Sequence, residues 1–168
     1  MDLINLKEGQ YILIDKIKYK ILNGVKYKEK SSYWMEYKLQ NLETSKMYYL
    51  NVELSNKVIL YEILKDTKIQ VKMNIIYNDN EYELYEKGDA KVETYFGMTD
   101  IGLNEEVSYY EYTNKEDKTK ILSIEKWRDE VEISIVQLGY VFSFYLYSGA
   151  GDKFLFLYTV TDNNYFIQ

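Results

Sequence analysis

Residues 11–28 read YILIDKIKYKILNGVKYK, and this stretch decides the fold class. Its apolar side chains fall at every second position: Ile12 and Ile14, then Ile17, Tyr19 and Ile21, then Val25 and Tyr27. Period two marks a strand with one buried face, because successive side chains leave a pleated backbone on opposite sides. Asp15-Lys16 fits a two-residue turn. It sets Ile14 opposite Ile17 and Ile12 opposite Tyr19, so all four share a face. Leu22-Asn23-Gly24 then predicts a three-residue hairpin loop with Gly24 left-handed, pairing Ile21 with Val25 and Tyr19 with Tyr27. The same register puts Lys18 opposite Lys28 and Lys20 opposite Lys26, a basic ribbon on the other face.

Working outward, alternation continues over 33–40, 47–54 and 57–64, with a polar turn over 41–46. The second half restarts the pattern. Ile75-Ile76-Tyr77 leads to Tyr82 and Leu84 as Ile12-Leu13-Ile14 leads to Tyr19 and Ile21. Gly88 then answers Gly24, Tyr109-Tyr110-Glu111-Tyr112 answers Trp34-Met35-Glu36-Tyr37, and Ile121-Leu122-Ser123-Ile124-Glu125 answers Tyr49-Leu50-Asn51-Val52-Glu53. Gly97 and Gly102 mark a longer loop in this half. Matches in one order point to a duplicated unit. Three more β-like runs follow at 131–138, 140–147 and 154–160, with Gly139 a bend and 148–152 a hairpin loop. Only 2–6 and 125–130 suit helical turns. The expected fold is all-β: two diverged copies of an antiparallel meander, packed as paired small barrels or one sandwich. The copies are 1–73 and 74–168, the second with extra C-terminal strands. The expected core is Ile12, Ile14, Tyr19, Ile21, Tyr37, Leu39, Leu50, Val52, Tyr82, Leu84, Leu122 and Ile124.

Composition narrows the chemistry. The 168 residues are 46% apolar, enough for a core, and include 20 tyrosines, which favour strands. There is no cysteine and no histidine. That removes thiolate chemistry, disulfides, the commonest general base and the commonest metal ligand. The first 13 residues do not read as a signal peptide, and the apolar run at 138–146 is too short and polar to span a bilayer. A cytoplasmic location without membrane insertion is the expectation. Residues 1–76 carry 13 lysines against 9 acids, and residues 77–168 carry 8 basic residues against 18 acids. A net charge of −6 disfavours nucleic acid as a partner.

Leu6-x-x-Gly9, Tyr19-x-Ile21, Trp34-x-Glu36-Tyr37-x-Leu39, Leu50-x-Val52-Glu53, Tyr82-x-Leu84-x-Glu86, Gly88-x-Ala90 and Leu122-Ser123-Ile124-Glu125 together resemble a bacterial family, domain-of-unknown-function family 4178. The resemblance spans residues 6–145. It implies no activity, cofactor or substrate.

The residues that could carry function lie on the non-core side of the two hairpins. Alternation puts Trp34 and Glu36 beside Tyr49, Asn51 and Glu53. In the second half it puts Tyr109 and Glu111 beside Glu125, with Trp127 nearby. Rings with carboxylates suit a cation, through the ring quadrupole and direct charge pairing. The first expectation is a non-catalytic binding or adaptor domain that engages a protein partner. The alternative is a small cationic ligand such as a polyamine on the same face. Glu36/Glu53 or Glu111/Glu125 as a glycosidase pair would require a cleft joining them. Asn78-Asp79-Asn80-Glu81 lacks the glycine and closing glutamate of a calcium loop, and Gly149–Lys153 lacks phosphate-loop spacing. No metal or cofactor is expected. An edge strand offers a route to a homodimer.

Overall fold

A computed structural model describes residues 3–14, 17–53, 58–64 and 68–127 with their side chains, and 130–137, 141–148, 152–161 and 164–167 as backbone strands. A single 3-10 turn, Leu3–Asn5, precedes the strands. The first meander is β1 (Tyr11–Ile14), β2 (Ile17–Glu29), β3 (Ser32–Asn41), β4 (Met47–Glu53) and β5 (Val58–Ile63). The second is β6 (Asn74–Tyr77), β7 (Asn80–Gly97), β8 (Glu106–Asn114), β9 (Lys120–Trp127) and β10 (Glu130–Gln137). Three strands complete the chain: β11 (Val141–Ser148), β12 (Asp152–Thr161) and β13 (Asn164–Ile167). The protein is all-β and every pairing is antiparallel. Among the described residues no helix is long and apolar enough to cross a membrane.

Neither paired barrels nor a two-sheet sandwich forms. The strands make one continuous sheet, in the order β13-β12-β11-β1-β2-β3-β4-β5-β10-β9-β8-β7-β6, with β2 also paired to β7. The β5–β10 and β2–β7 pairings join the two meanders at two places, so the sheet curls and its concave side faces itself.

The first hairpin has the expected register: Ile14 faces Ile17 and Ile12 faces Tyr19. The turn at Asp15-Lys16 lies outside the described residues. The hairpin expected at Asn23-Gly24 does not form. Residues 17–29 are one strand, interrupted by a bulge between Ile21 and Asn23, and the chain reverses only after Glu29, where Glu29 faces Ser32. A bulge inserts one residue and so exchanges the two faces of a strand. Tyr19 and Ile21 therefore face outward with Leu39, while Val25 and Tyr27 face inward, opposite Glu36 and Trp34. Gly24 is extended, not left-handed. It sits opposite Phe96 of β7, and a Cβ there would come 2.5 Å from the Phe96 ring and 2.9 Å from the Tyr37 ring. The glycine is there for close approach, and the phenyl ring fills the space.

The bulge also dismantles the basic ribbon. Lys20 faces Gln40, Lys26 faces Met35 and Lys28 faces Tyr33. Lys18 and Lys20 lie on one face of the sheet, and Lys26 and Lys28 lie on the other. Lys18 stands over the Tyr11 ring at 4.6 Å. Lys26 stands over Tyr33 at 4.2 Å and pairs with Glu93 at 3.1 Å.

The second meander carries the same register marks. Ile75 faces Tyr82, and Asn78-Asp79, both at positive φ, turn the chain between Tyr77 and Asn80. A bulge follows Leu84 as one follows Ile21. Tyr82 faces Asn114 as Tyr19 faces Asn41. Each of these buried asparagines accepts two backbone N–H bonds through Oδ1: Asn41 from Glu43 and Thr44, Asn114 from Glu116 and Asp117. This register sets Glu36 against Tyr109, two residues from the sequence alignment, so the carboxylates of the two halves interleave and do not repeat. Residues 125–127 belong to β9 and not to a helical turn. Gly139 and the loop residues 149–151 lie outside the described residues.

Three apolar clusters result. On the outer face, Ile12, Ile14, Tyr19, Ile21, Tyr37, Leu39, Leu50 and Val52 pack with Leu3 and Leu6, and the same cluster takes in Ile59, Tyr61 and Ile121 from the pocket side. Ile75, Tyr82, Tyr112, Leu122 and Ile124 form a second outer cluster. Of the expected core only Leu84 is half-buried, packing at the margin of that second cluster. Inside the curl lie Val25, Tyr27, Ala90, Val92, Val107 and Trp127. The bulge in β2 is what sends Val25 and Tyr27 inward to meet them.

Candidate functional site

The remainder of the concave side is a pocket of about 220 Å³. Side chains from β3, β4 and β5 form one wall, and side chains from β8 and β9 form the other, with Glu29 and Glu86 contributed by β2 and β7. Six glutamates line it: Glu29, Glu36, Glu53, Glu86, Glu111 and Glu125. So do four rings, Trp34, Tyr49, Tyr61 and Tyr109, with Ser32, Asn51, Ile59 and Ser123. Among these described lining residues there is no lysine or arginine.

Eight of the nine residues singled out in the sequence meet here: Trp34, Glu36, Tyr49, Asn51, Glu53, Tyr109, Glu111 and Glu125. Strand alternation places them correctly on the non-core side. What alternation does not show is that this side folds inward. Glu36 is only 6% exposed. Trp127 lies in an adjoining cavity of about 480 Å³, whose wall shares Glu36 and Tyr49 with the first. Glu29, Tyr61 and Glu86 join the pocket without a signal in the sequence pattern. A hairpin at Asn23-Gly24 would have turned Glu29 away. Tyr61 lies on a strand whose partner in the other half has no local mark.

Phenol and indole donors hold several of the carboxylates. Tyr109 donates to Glu29 Oε2 at 2.6 Å, and Tyr85 to Glu111 Oε2 at 2.5 Å. Tyr61 donates to Glu111 Oε1 at 3.4 Å, bridging the first meander to the second. Tyr27 donates to Glu36 Oε1 at 3.5 Å, and Trp127 Nε1–H to Glu125 Oε2 at 3.3 Å. Gly88 leaves room for one of these pairs. A Cβ there would come 2.5 Å from both Glu29 Oε1 and the Tyr109 hydroxyl.

The phenols register the local field. Desolvation, then the charges of Glu111, Glu36 and Glu53 among its neighbours, pushes the Tyr61 phenol well above its ordinary value. Tyr85 is raised by desolvation, the charge and hydrogen bond of Glu111, and the charges of Glu86 and Glu53. Tyr109 is raised by desolvation, its bond to Glu29 and the charge there. A phenol kept neutral remains a hydrogen-bond donor, so each of these rings presents a donor to an acidic site. The carboxylates are spread around the pocket. Among the described residues no three acidic side chains converge tightly enough to hold a metal ion.

Residues 7–137 match the family described as Domain of unknown function (DUF4178), and the chain belongs to that family. No curated protein and no solved structure matches it.

Proposed function

We propose that this member of the DUF4178 family is a non-catalytic binding domain whose pocket takes a small organic cation, an amine. One observation carries the reading. Six glutamates and four aromatic rings from seven strands share the wall of one concave pocket, with no lysine or arginine among its described lining residues. Carboxylates supply charge and hydrogen-bond acceptors to an ammonium group, and ring faces attract a cation and cover its methylenes. The small volume favours a slender ligand over a drug-sized one, for which pockets of about 300–1,000 Å³ are usual. The dispersal of the carboxylates favours several separated charges over a single ion.

A protein partner docking on these residues is less well supported. They line the inside of the curl, where a flat interface cannot reach them. One pocket does join Glu36, Glu53, Glu111 and Glu125, but a glycosidase pair uses two carboxylates and leaves the other four of the six without a role, so the enzymatic reading is the weaker one.

Titration calorimetry with spermidine at low salt tests the proposal. Binding that weakens as salt is raised, and weakens further in Glu36→Gln and Glu111→Gln, is the expected result. Absence of heat at millimolar amine would rule it out.

A further inference from the structure

The sheet ends at β6, which pairs only with β7 among the described residues. Met73 O accepts from Leu84 N, so Met73, Ile75 and Tyr77 are the positions that exchange backbone bonds with β7. Bonded and non-bonded pairs alternate along an antiparallel ladder, which turns the amides of Asn74 and Ile76 toward the free edge. That edge lacks the usual guards. Residues 74–77 read Asn-Ile-Ile-Tyr, with no proline, no charge and no bulge. Apolar surface accompanies it: Met73 is 67% and Ile76 75% exposed.

Charge is divided about the strand. A groove at its leading end is lined by Lys68 and Lys72, with no acid among its described lining residues. The hairpin tip at its other end carries Asp79. Lys72 and Asp79 are both exposed, and neither forms an ion pair with a described residue. Residues 68–79 contribute nothing to the acidic pocket, so a role for this edge stands apart from the amine reading.

We propose that β6 is a homodimer contact, in which the strands of two copies pair antiparallel about a two-fold axis and the sheet runs on from one molecule into the next. Ile75 lies opposite Ile75 of the second copy, Asn74 exchanges both backbone bonds with the second copy's Ile76, and Met73 lies opposite the second copy's Tyr77. The outer cluster that Ile75 joins then continues across the axis. Reversal also makes the divided charge complementary to itself: Lys72 of each copy falls beside Asp79 of the other. Neighbouring registers lose this match. A slide one way sets Met73 against Asp79, and a slide the other way sets Ile76 against Lys72. A strand of four residues buries little area, so the dimer is weak, with a Kd on the order of 0.1 mM.

Sedimentation equilibrium of the full chain between about 10 μM and 1 mM tests the contact. Asn74→Pro removes an outward N–H and leaves the bonds to β7 intact, and it should raise Kd about ten-fold or more. Lys72→Glu brings an acid to Asp79 and should raise it about five-fold. Cysteine reads the register, since the chain has none of its own. Ile75→Cys should oxidise to a covalent dimer, because non-bonded antiparallel pairs stand about 4.5 Å apart at Cα. Ile76→Cys should not, being about 8–9 Å from its counterpart. If Ile75→Cys does not fold, Met73→Cys mixed with Tyr77→Cys takes its place. A chain that stays monomeric at the highest concentration overturns the proposal. So does association that Asn74→Pro leaves unchanged, which would assign the contact to another edge such as β13, and so does cross-linking at position 76 in place of 75.

Discussion

Replacing Glu36 by Gln distinguishes a ligand site from a scaffold, because the two roles move stability in opposite directions. Glu36 is 6% exposed, and five other glutamates share its pocket. Two ionised carboxylates about 8 Å apart repel by about 2 kcal/mol at an effective dielectric of about 20. Gln is nearly isosteric, and its Oε1 still accepts from the Tyr27 hydroxyl. The loss is the charge-assisted part of one long hydrogen bond, about 1 kcal/mol. Relief of repulsion therefore wins by about 1 kcal/mol, which raises the melting midpoint by about 2–4 °C in a chain of this size. Amine affinity should fall about ten-fold over the same change. Thermal melts with and without millimolar spermidine read both effects. The variant melts above wild type without amine and gains less from it. A Glu36→Gln chain that melts below wild type and gains as much from amine would refute the reasoning, and would assign Glu36 to the scaffold.

The twin asparagine turns provide a second test. Asn41→Ala and Asn114→Ala should each cost about 1–3 kcal/mol in chemical denaturation, because each strands two turn amides beside a buried position. Gly24→Ala should cost about 1–3 kcal/mol from overpacking against Phe96, and the cost should shrink in a Phe96→Ala background; an unchanged cost would mean that the backbone is the obstacle. Alkaline titration followed at 295 nm should show Tyr61, Tyr85 and Tyr109 ionising late. Their folded values lie above the ordinary phenol value near 10, so their contribution is fully present below that pH and is lost as pH rises through the folded values. Unfolding should therefore accompany the late phenol step, and a late step in a still-folded chain would contradict this.

Much of the architecture is legible in the sequence because period two is a local signal. Alternation alone places Ile12, Ile14, Tyr19 and Ile21 on one face, and Tyr49, Asn51 and Glu53 on the other. It fails at positions where a distant strand decides. Asn23-Gly24 is a strong turn signal, yet β7 pairs along 23–28 and Phe96 covers the glycine, so extended backbone wins. The lysine ribbon fails with that hairpin, since a bulge reverses the facing of every residue beyond it. Eight of the nine candidate residues share the wall of one pocket, and the flat face that alternation suggests is replaced by that concavity. Alternation says which side a glutamate takes; only the β5–β10 and β2–β7 pairings say that the side is enclosed.

The double pairing of β2 also sets an order of events during synthesis. Its first residues find β1 and β3 within 24 positions, and the hairpin can close as soon as Asn41 has left the ribosome. The other edge of residues 23–28 has to wait for residues 91–97. Through that interval Val25 and Tyr27 have none of their β7 neighbours, and a bare strand edge is open to any other chain with an extended segment. A nascent chain stalled before residue 91 is therefore the form of this protein most exposed to aggregation. The half that looks like a complete meander in the sequence still leaves the inner edge of β2 bare until β7 arrives.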